Sequence, residues 1–123
     1  MTKPLATPSD VVDLRPSATT GDTNQLIVLV QSPAVEITQL LIPAGSNIPT
    51  YEAVGEIILH CLEGRISLEV LGQPHELRAG QLLYLAVNEP FSIRGLERAS
   101  VLATIIAPKQ GLNVVLIGRQ KPK

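Results

Sequence analysis

The side chains able to do chemistry in this chain are few and scattered. It has two histidines (His60 and His75), one cysteine (Cys61) and three aromatic residues (Tyr51, Tyr84 and Phe91). A lone cysteine closes no intrachain disulfide and makes no cysteine-based zinc site. As a nucleophile it would need a base or a positive charge beside it. Along the strand face that Cys61 shares with Ile57 and Leu59 the sequence places neither histidine nor lysine. Cys61 therefore reads as a small core hydrophobe. Glu56 and His60 share the opposite face, but four residues of extended chain separate them by ~13 Å, too far for one ion. His75 follows Gly72-Gln-Pro74, the signature of an exposed hairpin. Glu52 and Glu56 read as a solvated rim, since general acid–base work needs a paired group that the sequence does not supply.

The elements that must position these residues are strands. From Gln25 onward, short apolar runs alternate with turn signals at intervals of about 8–12 residues, the pattern of an all-β sandwich or barrel. The runs Leu26–Val30, Ala34–Ile42, Glu56–Leu62, Arg65–Leu71, His75–Leu77, Gly80–Leu85, Phe91–Arg94, Val101–Ala107 and Val114–Ile117 are predicted strands. Residues Ser46–Gly55 read as a loop. Arg65–Leu71 alternates cleanly, with Ile66, Leu68 and Val70 on one face and Arg65, Ser67 and Glu69 on the other. Proline keeps to the connections in this reading, and no helical period is sustained. The fold class is all-β, a single-domain barrel or double-sheet jelly roll.

Composition narrows the function classes. The 123 residues suit one domain, and 45% of them are apolar, enough for an ordinary core. Ten basic residues nearly balance eleven acidic ones. No overall field draws the protein to nucleic acid or an anionic membrane. No apolar run has the length of a membrane span, and the first residues lack a signal peptide's apolar stretch; the expected location is the cytoplasm. Residues 1–24 are predicted to form a loosely ordered arm, docked in part through Val11, Val12 and Leu14, ahead of a barrel over 25–118 and a basic tail over 119–123.

Two stretches carry a family likeness. Gly45–Gly64 (GSNIPTYEAVGEIILHCLEG) and Gly80–Gly95 (GQLLYLAVNEPFSIRG) resemble the paired motifs of the cupin superfamily, in particular the small single-domain RmlC-like cupins. LIPAG, HCLEG and VLATII extend the likeness over most of residues 25–107. The resemblance implies a cupin-type double-stranded β-helix, or jelly-roll barrel. It also implies where a metal would be held: in the family, two histidines and a glutamate in the first motif and a histidine in the second. In this chain those positions are Tyr51, Ala53, Ile57 and Phe91. The glycine spacing is kept and the donors are gone. Imidazole and carboxylate groups bind divalent metals, whereas alkyl, methyl and phenyl groups do not. The resemblance therefore implies no metal and no cofactor.

What the resemblance leaves is a barrel interior lined by Tyr51, Ala53, Ile57, Leu59, Cys61, Tyr84 and Phe91. One reading is an apolar pocket with a phenolic hydroxyl that orients a small organic ligand. The other is that Tyr51 and Phe91 plug the space and complete the core. No catalytic residue is assigned, and a binding or accessory module is the leading expectation. The rivals are a metal-dependent dioxygenase or isomerase with atypical ligands, and an epimerase-like enzyme with Tyr51 as its acid. His60 would face outward with Ile58 and Leu62, an apolar row suited to a homodimer interface.

Overall fold

The computed structural model describes residues 5–14, 23–51, 55–86 and 89–106. The described residues form nine strands: β1 (Gln25–Gln31), β2 (Val35–Ile42), β3 (Asn47–Tyr51), β4 (Glu56–Glu63), β5 (Arg65–Val70), β6 (Gln73–Arg78), β7 (Leu82–Leu85), β8 (Phe91–Gly95) and β9 (Ala99–Ile106). They form a five-stranded sheet in the order β1-β2-β9-β4-β7 and a four-stranded sheet in the order β3-β8-β5-β6. Every pairing is antiparallel. Among the described residues, no helix is long and apolar enough to cross a membrane.

The alternation of the side chains builds the core. On β4, Ile57, Leu59 and Cys61 are buried while Ile58, His60 and Leu62 are half-buried on the other face. On β9 the inward set is Ala99, Val101, Ala103 and Ile105. The facing sheet contributes Ile48, Ile66, Leu68, Val70, Leu77, Phe91 and Ile93, all in one contiguous cluster with the first. With no tryptophan and a single phenylalanine, the interior is filled by branched aliphatic residues.

Two local features differ from the sequence reading. Residues Ser46–Gly55 are not wholly loop, because Asn47–Tyr51 pairs with β8 as an edge strand. The β5–β6 hairpin turns at Leu71-Gly72, both with positive φ (52° and 79°), and not at Gly72-Gln-Pro74. This two-residue turn matches the right-handed twist of the strands it joins. It puts Pro74 in the ladder opposite Glu69. Proline is tolerated there, and at Pro49 of β3, because β6 and β3 are the edges of their sheet and an outward N–H has no ladder partner to lose. The predicted strand Val114–Ile117 lies outside the described residues.

Gly64 enforces the β4–β5 connection. Its φ is +77°, and a Cβ there would collide with the backbone of Arg98 and Ala99. Of the arm, Ala6 donates its N–H to the carbonyl of Leu29 (2.9 Å), at the bulge in β1. Val11 and Leu14, predicted to dock, are exposed.

Candidate functional site in the barrel interior

The strands of the five-stranded sheet stack their inward residues in rows. One row runs Ile57 (β4), Ile105 (β9), Glu36 (β2) and Gln31 (β1). The next runs Leu59, Ala103, Thr38 and Val28, and the third Cys61, Val101, Leu40 and Leu26. From the opposite sheet, β8 brings Phe91, which pairs with Tyr51 of β3 and Val70 of β5. Strands β1, β3, β5, β7 and β9 end at this level and β2, β4 and β8 begin there, so the first row lies at one mouth of the barrel.

Of the seven residues predicted to line the interior, four are placed inside. Ile57, Leu59, Cys61 and Phe91 are buried members of the core cluster. The side chains of Tyr51 and Ala53 lie outside what the structure describes. Tyr84 is not an interior residue: it is 58% exposed. The inward positions of β7 are Leu83 and Leu85, so the residue between them points out. There Tyr84 meets the Glu56 carboxylate, which holds its phenol above the usual tyrosine pKa through their hydrogen bond and the carboxylate charge.

Burial pushes the Cys61 thiol up from its ordinary value, and its contacts are the carbonyls of Glu63 (3.4 Å) and Gly64 (3.5 Å). Burial disfavours the thiolate, the form in which a cysteine acts as a nucleophile. His75 is exposed on β6, and His60 is half-buried on the outer face between Leu82 and Leu102.

Two of the four positions that the resemblance assigns to metal donors have described side chains. Where the family pattern places its glutamate and its second-motif histidine, Ile57 and Phe91 turn hydrocarbon inward. Among the described residues, no three histidine, cysteine, aspartate or glutamate side chains gather as a ligand set.

Polar groups missed from the sequence do reach the interior. Glu36 and Thr38 are fully buried on the inward face of β2. Glu36 Oε1 accepts a hydrogen bond from Gln31 Nε2 (3.3 Å), while the Thr38 hydroxyl has no hydrogen-bond partner among the described residues. Their spacing of two, ahead of the inward Leu40 and Ile42, was the available signal. On the outer face of the same strand, Gln39 Nε2 donates to Ser100 Oγ at 2.8 Å, and both residues are buried. A separate open groove of about 310 Å³ lies between the arm and β1, lined by Leu5, Ala6, Asp10, Val12 and Leu29 among others. Its Asp10 carboxylate is already engaged by the Thr7 N–H (2.8 Å) and hydroxyl (3.0 Å).

No family model matches the chain, and no curated protein matches it in sequence. Solved structures do. A conserved protein of unknown function from Streptococcus pyogenes is similar at 15% identity and TM-score 0.72, over 88% of this chain and 98% of that one. An RmlC-like cupin protein from Desulfovibrio desulfuricans matches at 19% identity and TM-score 0.70, over 80% and 99% of the two chains. An RmlC-like cupin with a double-stranded β-helix fold from Methanocaldococcus jannaschii matches at 20% and 0.70, over 84% and 94%. Likeness at these identities establishes the fold, and the fold is the cupin double-stranded β-helix.

Proposed function

We propose that this chain is a metal-free cupin-fold binding module whose barrel mouth takes a small organic molecule. The observation that carries the reading is the inward placement of Ile57 and Phe91 at two positions where the family pattern has metal donors. Stripping water from a divalent ion requires several strong donors in return, and alkyl and phenyl groups return none. The fold alone assigns no function, because cupin-type barrels are among the versatile scaffolds. The test is elemental analysis of protein purified without a histidine tag, together with melting curves in saturating Fe, Mn, Ni, Cu and Zn. Absence of stoichiometric metal and an unchanged Tm support the reading. One tightly held metal per chain overturns it.

A second reading is favoured by Phe91, which is 1% exposed inside the core cluster. On that view the aromatic ring completes the core, and the barrel is a scaffold. The polar residues Glu36 and Thr38 weigh against it, because a core that only needs filling gains nothing from buried oxygens. The protein is further proposed to work as a homodimer through the outer face of its five-stranded sheet. Leu82, Tyr84 and Ile106 are exposed there beside half-buried Ile58, His60 and Leu102, a patch with few charges and an aromatic of the kind common in interfaces. Light scattering on the full chain, with His60→Glu expected to shift the mass from dimer to monomer, tests this.

A further inference from the structure

We propose that the groove between the arm and β1 is the docking site of this chain's own segment 112–123, which lies outside the described residues. The inference stands apart from the binding-module reading and from the dimer.

The groove is both apolar and acidic. Its floor is Leu29, buried at the bulge of β1, and its arm wall is Leu5, Val11 and the half-buried Val12. Leu5 and Val11 stand open to solvent. Asp10 and Asp13 add two carboxylates, and no basic side chain is among the described lining residues. The Thr7 N–H and hydroxyl both donate to Asp10 Oδ2, and these bonds hold its carboxyl below the usual carboxylate range, so its charge is kept. Asp13 makes no hydrogen bond or ion pair among the described residues.

The segment carries the complementary pattern. It reads LNVVLIGRQKPK, with four consecutive apolar residues at Val114–Ile117 followed by Arg119, Lys121 and Lys123. An apolar run of that length is disfavoured in water and needs a cover, and its cations are attracted by carboxylates. The outer face of the five-stranded sheet also offers hydrocarbon, at Leu82, Tyr84 and Ile106, but the Glu56 carboxylate there is engaged by Tyr84. The groove is also within reach. β9 ends at Ile106, paired with Val35 of β2, and β2 lies beside β1. Leu29 is thus two strands, about 10 Å, across from that end and about 10 Å along it. Residues 107–113 span up to about 23 Å when extended, enough to bring Val114 to the groove.

Two measurements on the full chain test this. In the first, Gly118→Cys in a Cys61→Ala background carries a nitroxide label, and methyl resonances are followed by NMR. The label should broaden the methyls of Val12 and Leu29 more than those of Ile58 and Leu82. Asp13→Asn, which breaks no hydrogen bond among the described residues, should reduce that broadening, and adding Asp10→Asn should reduce it further. In the second, trypsin cuts the unlabelled chain after Arg119, which a docked segment exposes only on release. The Asp10→Asn, Asp13→Asn pair should speed this cut at least about three-fold, the loss of two exposed ion pairs. Stronger broadening at Ile58 and Leu82 would place the segment on the outer sheet face and overturn the inference. Methyls left sharp throughout, or broadening and cleavage indifferent to both asparagine substitutions, would overturn it as well. None of these outcomes touches the metal-free reading of the barrel interior.

Discussion

Glu36 and Ile57 lie on one inward row of the five-stranded sheet, on either side of Ile105. The barrel's buried carboxylate therefore stands two strands, about 10 Å, from the position where the family pattern has its glutamate. The interior thus carries an acidic side chain on β2, two strands away from the hydrocarbon of Ile57 on β4.

Phe91 tests whether the ring is structural. Phe91→Ala removes a buried aromatic from the core cluster and should cost about 3–5 kcal/mol in urea unfolding. Phe91→Leu, which keeps most of the volume, should cost less than about 1.5 kcal/mol. A Phe91→Ala variant as stable as the parent would show that the ring faces an open cavity and packs against little.

The Gln39–Ser100 bond joins β2 to β9 in a buried setting. Ser100→Ala should destabilise the fold by roughly 1–2 kcal/mol, more than a surface serine would. A double-mutant cycle with Gln39→Leu should return a coupling energy of about 0.5 kcal/mol or more. Strict additivity would refute the interaction.

Leu71 is the first residue of the β5–β6 turn, at φ 52°, and its side chain is exposed. A leucine in the left-handed region is strained by about 1–2 kcal/mol, and asparagine relieves part of that. Leu71→Asn should raise the denaturation midpoint by the equivalent of about 0.5–1 kcal/mol with an unchanged m-value. A lower midpoint would contradict the turn assignment.

Cys61 sets a pH dependence at the alkaline end. Its thiol pKa is raised in the folded state by burial. The unfolded chain therefore releases this proton first as pH rises, and the sign is fixed: the thiol's contribution is full below the unfolded value of about 8.5 and is lost as pH climbs through the folded one. Cys61→Ala should flatten this part of the stability curve relative to the parent. In native protein at pH 8 a thiol reagent should label Cys61 only at the rate of unfolding. Rapid stoichiometric labelling would disprove burial.

Much of this architecture was legible as period-two alternation. Ile57, Leu59 and Cys61 on one strand, and Ile66, Leu68 and Val70 on another, announced their common faces, because successive Cβ atoms point to opposite sides of a sheet. That Ile57 and Phe91 would turn hydrocarbon inward followed from the same alternation. Tyr84 was not legible in this way. Leu82-Leu83-Tyr84-Leu85 is apolar throughout, so no alternation reveals its inward side, and only the pairing of Leu85 with Ile57 orients it.

Sequence by itself determined a sheet-built barrel and the apolar inward faces of β4 and β5, because strand period and side-chain chemistry are local properties. Tertiary structure decided that Glu36 and Thr38 enter the interior and that Gln39 leaves it. Along β2 polar and apolar residues occupy both faces, and the choice between them is made by the register with β9, which sets Leu40 and Ile42 against Val101 and Ala99. Burying that aliphatic face fixes which side of the strand is inside, and two oxygen-bearing side chains are carried in with it.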